Sequence, residues 1–188
     1  MERAEIDSIE SFSALLKATN RRTAARHDLP AVHGDILSYL SRCNAWSDNV
    51  LAAAHYLGLT KGTVSQSVKL LAEREYVERR PDERDRRMQH LLLTEKGRAY
   101  VSELDADIHE RLKGVEIGGP YTRVFKAIIA DLTRQAQRAL TDGPSFGTCR
   151  TCRHYKRTGE GAGSCGKMDH TLSDSDMDRL CRLYAWAE

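Results

Sequence analysis

Apolar residues along most of the chain recur at steps of three and four, the period of a helix that buries one face. Ile6, Ile9, Phe12 and Leu16 make such a stripe near the N-terminus, and Ile36, Leu37 and Leu40 make another after Pro30. Val101, Leu104, Ile108 and Leu112 repeat the pattern up to Gly114. Beyond the Gly118-Gly119-Pro120 break, Val124, Ile128, Leu132, Ala136 and Leu140 line a last long helix. One stretch changes period: residues 76–80 and 88–93 are two short runs around a charged turn, which predicts a β-hairpin. The turn-formers Thr141-Asp142-Gly143-Pro144-Ser145-Phe146-Gly147 must stop the last helix. They divide the chain into a helical body, residues 1–140, and a tail, residues 141–188.

Between the early helices and the hairpin lies a denser pattern. Residues 48–56, with Leu51, Ala52 and Ala54, predict a helix of small residues suited to close packing. Gly58 supplies the tight turn of a helix-turn-helix corner, and Thr60 is a good N-cap for a helix over 60–74. Val64, Val68 and Leu71 share one face of that helix, while Gly62, Ser65, Gln66 and Lys69 share the other. The second face carries short or hydrogen-bonding tips that fit base edges and phosphates in a major groove. The hairpin tip is Pro81-Asp82-Glu83-Arg84-Asp85-Arg86-Arg87. A protruding Arg can enter a narrow minor groove, where negative potential concentrates. A carboxylate beside the guanidinium would fix its rotamer in advance. Taken alone, the same charges would equally serve a solvated turn.

Leu59-Thr60-Lys61-Gly62-Thr63-Val64-Ser65-Gln66, then Asp82-Glu83-Arg84-Asp85-Arg86-Arg87, then Leu93-Thr94-Glu95-Lys96-Gly97 follow in a familiar order. The wing signature Asp-x-x-Asp-Arg-Arg followed by Leu-Thr-x-x-Gly is matched in spacing, and over about residues 5–140 the chain resembles the MarR family of winged-helix transcription regulators. The resemblance implies a mainly α fold with a small β-hairpin wing. It also implies a homodimer with intertwined first and last two long helices, whose two winged domains sit on a pseudo-palindromic duplex operator. By position it implies recognition-helix contacts from Thr63, Ser65, Gln66 and Lys69. Arg86 would be the minor-groove residue, flanked by Arg84 and Arg87 and braced by Asp85 and Asp82. Three residues depart from the family pattern: Gln66 stands where many members carry Arg, Glu75 where a Gly often ends the helix, and Gly62 weakens the first helical turn. Gln66 suits adenine rather than guanine.

Charge supports a local rather than a global DNA surface. Lys and Arg total 29 against 27 Asp and Glu, a net +2, but Arg79, Arg80, Arg84, Arg86 and Arg87 crowd one hairpin. No apolar run approaches the roughly 20 residues that span a bilayer, and Met1-Glu2-Arg3-Ala4-Glu5 lacks the apolar core of a signal peptide. The expectation is a reducing cytoplasm and no membrane.

Five cysteines change the picture of the tail. Cys43 stands alone at the end of an early helix and reads as a small buried hydrophobe. The others form Cys149-x2-Cys152-x12-Cys165-x15-Cys181, a short Cys-rich metal-binding extension. Ser173 followed by Asp174, Ser175 and Asp176 predicts a capped helix, with a Leu172–Met177 staple and Met177, Leu180, Cys181 and Tyr184 on one face. Three readings stay open: unligated or redox-active thiols, a structural Zn site, and a [4Fe–4S] cluster. Zinc sites usually pair two knuckles, whereas a cubane takes one thiolate per iron corner. One pair plus two singletons favours the cluster. His154 and His170 read as neighbours of the ligands rather than ligands.

The leading expectation is therefore a non-enzymatic, homodimeric, DNA-binding repressor whose operator binding is modulated by a [4Fe–4S] cluster sensing redox or iron status. One alternative keeps the regulator, makes Zn structural and supplies the signal as a small aromatic effector. The other is a thiol redox enzyme or electron carrier using Cys149 and Cys152. The chain holds no nucleotide-binding glycine loop and no His-Glu-x-x-His to support it.

Overall fold

The expected helical periods and the one hairpin recur in the computed structural model, which describes residues 2–83, 85–115, 121–140, 145–159 and 162–186. Two units form. Met1–Ser41 and Thr60–Gly114 make the first, and Arg42–Leu59 and Val115–Glu188 the second.

In the first unit, α1 (Arg3–Arg26) leads to α2 (Ala31–Arg42), α4 (Lys61–Glu73), strands β1 (Val77–Pro81) and β2 (Gln89–Leu93), and α5 (Glu95–Arg111). The intervening α3 belongs to the second unit. Ile36, Leu37 and Tyr39 of α2, Val64, Val68 and Leu71 of α4, Leu91 of β2 and Tyr100 of α5 are fully or almost fully buried. Only the C-terminal half of α1 contributes, with Thr19, Asn20, Thr23 and Ala24 buried. Its polar residues are answered by α5 and α2: Tyr100 Oη donates to Asn20 Oδ1 at 3.1 Å, and Asn20 Nδ2 donates to Asp35 Oδ1 at 2.6 Å. The earlier stripe of α1 is uncovered, with Ile9, Phe12 and Leu15 exposed.

In the second unit, Asn49 caps α3 (Val50–Leu57), its Oδ1 accepting from Ala52 N at 3.0 Å. Ala52, Ala53 and Ala54 are buried as close packing requires. Gly58 ends α3 in the left-handed region, φ 65°, which favours glycine. Helix α6 (Tyr121–Leu140) follows later in the chain, with Tyr121, Val124, Phe125, Ile128 and Ile129 exposed. The Gly118-Gly119-Pro120 break and residues 141–144 of the expected boundary lie outside the described residues, as does the Leu140 side chain.

The tail differs from the sequence expectation in two ways. Its centre is an antiparallel sheet of β3 (Tyr155–Gly159), β4 (Ala162–Cys165) and β5 (His170–Leu172) in the order β3-β4-β5. No strand was expected there, because Lys156-Arg157-Thr158 and Gly163-Ser164 carry no alternating apolar pattern. Ser173 does cap a helix, its Oγ accepting from Asp176 N at 3.3 Å, and Leu172 and Met177 are both buried in one cluster. That helix, α7 (Asp174–Met177), is a single turn. Cys181 is therefore not on its face; it pairs in extended conformation with Gly147. Among the described residues, no helix is long and apolar enough to cross a membrane.

Candidate nucleic-acid interface and cysteine centre

Helix α4 starts where Thr60 Oγ1 accepts from Thr63 N at 3.1 Å. Its register then follows from burial: Val64, Ser67, Val68 and Leu71 face inward, so Thr63, Ser65, Gln66 and Lys69 project outward and are exposed. Lys69 lies 3.9 Å from Glu73, one turn on, a weak pair that a phosphate could replace. The helix hands directly to the hairpin. Tyr76 N donates to Leu71 O at 2.8 Å, and β1 continues from Val77. The turn between them holds Glu75 at φ 63°, the position where the family pattern has a glycine.

Strands β1 and β2 pair from Val77↔Leu93 to Pro81↔Gln89. Beyond them the loop is held by its own acids. Asp82 Oδ1 accepts from Asp85 N at 2.7 Å, Asp85 Oδ1 accepts from Arg87 N at 3.0 Å, and Asp82 Oδ2 lies 3.0 Å from His90 Nε2. Met88 N closes the turn onto Asp85 O at 2.8 Å. Asp82 and Asp85 therefore brace the loop through its backbone. The expected carboxylate–guanidinium brace differs in detail, since the Asp85 carboxylate takes the Arg87 amide. The effect on Arg86 is indirect: the loop is shaped, and Arg86 and Arg87 stand exposed from it. Arg84 lies outside the described residues. Sequence reasoning missed His90, whose role depends on a cross-strand contact with Asp82.

The backbone of the tail draws the four cysteines together in four steps. A turn of 3-10 helix, Cys149–Thr151, joins Cys149 to Cys152, with Cys152 N donating to Cys149 O at 3.0 Å. Tyr155 N then donates to Cys152 O at 3.0 Å, and Tyr155 pairs with Cys165 across β3–β4. Cys181 pairs with Gly147, two residues before Cys149. An added Cβ at Gly147 would come within 2.7 Å of the Tyr184 ring, so this close approach needs glycine. Cys149 and Cys181 are buried, and Cys152 and Cys165 partly so. Burial, then the neighbouring Cys181, Cys165 and Cys152 sulfurs, push the Cys149 thiol up to about 12. Even so, among the described residues no three His, Cys, Asp or Glu side chains are grouped so that they could hold one metal ion. Arg150 tethers the first knuckle to α7 through Asp178, at 2.7 and 3.1 Å, and Asp174, at 3.1 Å.

The tail also clasps the segment before α3. Leu180 N donates to Arg42 O at 2.8 Å and Asn44 N to Leu180 O at 3.0 Å. Arg182 N donates to Ser47 Oγ at 2.9 Å, and Arg179 Nη1 to Cys43 O at 3.2 Å. His170 meets Trp46 edge-on at 5.3 Å. Residues 43–49 read as a polar loop in sequence, yet Asn44, Ser47, Asp48 and Asn49 are buried, because their partners come from more than 130 positions away. Cys43 is buried as expected, and burial pushes its thiol up to about 12.

Comparison with family models matches residues 27–88 to the MarR family. No curated protein matches. Among solved structures, a MarR transcriptional regulator from Methanosarcina mazei Go1 is similar at a TM-score of 0.61 and 18% identity, over 74% of this chain and 100% of that one. A mutant of MepR from a multidrug-resistant S. aureus clinical isolate (0.59, 20% identity) covers 74% of this chain and 99% of its own. CouR from Rhodococcus jostii RHA1, bound to p-coumaroyl-CoA (0.54, 20% identity), covers 70% and 89%. Residues 27–88, which run from α2 through α4 to the wing, are thus a MarR-family segment in a chain with the winged-helix fold of MarR-type proteins.

Proposed function

We propose that this chain is a homodimeric, DNA-binding transcription regulator that reads a pseudo-palindromic operator with α4 and the wing. The observation that carries the reading is the division of α4 into a fully buried apolar face and an exposed polar one, handed directly to a hairpin that holds Arg86 outward. Thr63, Ser65 and Gln66 would meet base edges, Lys69 a phosphate, and Arg86 the adjoining minor groove, with Arg84 and Arg87 beside it. The uncovered stripes of α1 and α6 are the surfaces a second copy would cover. Selection of bound duplexes from a random-sequence library tests this: a two-fold symmetric consensus is expected, and recovery of unselected sequence would overturn it.

The finer part of the reading assigns the four thiols a [4Fe–4S] cluster that tunes operator binding to redox or iron status. A single Zn²⁺ needs its sulfurs about 2.3 Å from one point, whereas a cubane accepts thiolates spread over four corners. Four thiols that feel one another's charge without closing on a single ion suit the second arrangement. Protein purified without oxygen should be brown and contain iron and acid-labile sulfide. Colourless protein with stoichiometric zinc would instead make the tail a structural staple. In that case the ligand on CouR supports the second reading, a small aromatic effector acting on the regulator.

A further inference from the structure

The buried corner that the tail clasps holds one donor with nothing to donate to. Asn44 is 4% exposed, and its Oδ1 is fully used, accepting from Ser47 Oγ at 2.7 Å and Trp46 N at 3.2 Å. Its amide nitrogen is buried and makes no hydrogen bond among the described residues. A buried amide N–H left without an acceptor is costly, and native structures rarely keep one. The backbone shows where this nitrogen sits. Asn44 N is bonded to Leu180 O, and Ser47, held by Asn44, accepts from Arg182 N. Cys181 lies between those two anchors. Burial raises the Cys181 thiol, while the Asn44 side chain, and after it the Leu183 N–H, favour its thiolate.

A neutral thiol is a weak acceptor; a metal-bound thiolate is a good one. We propose that Asn44 is the fifth residue of the cysteine centre, its side-chain amide donating an N–H···S hydrogen bond to the Cys181 sulfur when that sulfur ligates a cluster. The inference rests on the [4Fe–4S] reading of the tail. It gives the orphan donor its acceptor, and it gives the centre a link along the chain to the DNA-reading helix. Asn44 also holds Trp46 N and Ser47 Oγ, and Trp46 O accepts from Asn49 Nδ2 at 3.3 Å. Asn49 is the cap of α3. The charge on Cys181 is therefore connected through three side chains to the first turn of α3, and α3 continues through Gly58 and Leu59 into Thr60 and α4.

Hydrogen bonds to the sulfurs stabilise the more negative state of a cluster and raise its reduction potential. The test uses full-length protein reconstituted anaerobically with iron and sulfide, grown on asparagine carrying ¹⁵N in the side-chain amide. Pulsed EPR of the reduced cluster should show one ¹⁵N coupling. Asn44→Asp, which keeps the oxygen facing Ser47 and Trp46 but removes the donor, should abolish that coupling and lower the reduction potential at unchanged iron and sulfide content. A wild-type cluster without ¹⁵N coupling would overturn the role of Asn44 while leaving the cluster reading intact, and it needs no variant to fold. Protein that takes up no iron and sulfide would overturn the cluster reading and this inference with it.

Discussion

Two residues at the root of the wing show how local backbone geometry positions the DNA-reading elements. Glu75 sits at φ 63°, where a side chain crowds the following carbonyl and costs about 1–2 kcal/mol relative to the right-handed region. Its carbonyl is nevertheless needed, accepting from Thr94 Oγ1 at 2.6 Å. Glu75→Gly keeps that carbonyl and removes the strain, so it should raise stability by up to about 1 kcal/mol, read as a higher urea midpoint. Gly97 gives the opposite case. A Cβ there would come within 2.2 Å of the Tyr76 carbonyl oxygen, a backbone atom that cannot swing away. Gly97→Ala should destabilise by about 1–3 kcal/mol, and an unchanged midpoint would contradict the packing described.

The residue scale also marks what could be read in advance. Glu75 stood out as a non-glycine in a glycine position, and the outward set Thr63, Ser65, Gln66 and Lys69 followed from helical period alone. Asn44 did not. Nothing in Cys43-Asn44-Ala45-Trp46-Ser47 distinguishes a buried polar corner from a surface loop, because its burial is created by residues 179–182.

At the scale of elements, the pairing of α1 with α5 rests on a charged seam. Arg26 Nε lies 2.7 Å from Glu103 Oε1, His27 Nε2 lies 2.7 Å from Glu103 Oε2, and Arg26 also pairs with Asp107. The hydrogen bond from His27, then that from Arg26, holds the Glu103 carboxyl below its ordinary range. Arg26, then Thr23, does the same for Asp107. A carboxyl whose folded value is depressed stabilises the fold above its unfolded value, about 4.3 for Glu. That contribution is lost as pH falls through the lower folded value. The thermal midpoint should therefore drop as the solution is acidified below about pH 4, and Glu103→Gln should flatten that drop. Equal slopes for the two proteins would show that the seam does not contribute.

Elements whose faces alternate at a helical or strand period were legible from the sequence: α2, α4, α5 and the β1–β2 wing. The tail was legible only in its cysteines. Strands β3, β4 and β5 are short, polar and glycine-rich, and they are held by pairing and by the buried Cys149, Leu172 and Met177 rather than by pattern. Helix α7 was read as longer than one turn because the apolar spacing of Met177, Leu180, Cys181 and Tyr184 fits a helix. Leu180 and Cys181 instead pair with Cys43 and Gly147 in extended backbone.

At the scale of the whole molecule, two apolar helical faces lie open in the single chain. Phe12 of α1 is 54% exposed and Ile128 of α6 is 57% exposed, each within a row of like residues. Scattered exposed apolar residues need no explanation, but contiguous rows mark an interaction surface. In the homodimer proposed above, a second copy covers them. The combined change Phe12→Glu and Ile128→Glu should convert a dimer to a monomer in sedimentation velocity while leaving the helical circular dichroism in place. A wild-type chain that sediments as a monomer at micromolar concentration would refute the dimer.

The central claim is that α4 and Arg86 contact one duplex together, and fluorescence anisotropy on the selected duplex across a salt series tests it most directly. Arg86→Ala should weaken binding and reduce the salt slope by about one, whereas Gln66→Ala should leave the slope unchanged and cost about 1–3 kcal/mol, mostly through relaxed preference at one base pair. If both variants bound the duplex with wild-type affinity and salt dependence, neither element would be in contact with DNA, and the gene-regulatory reading of this fold would be wrong.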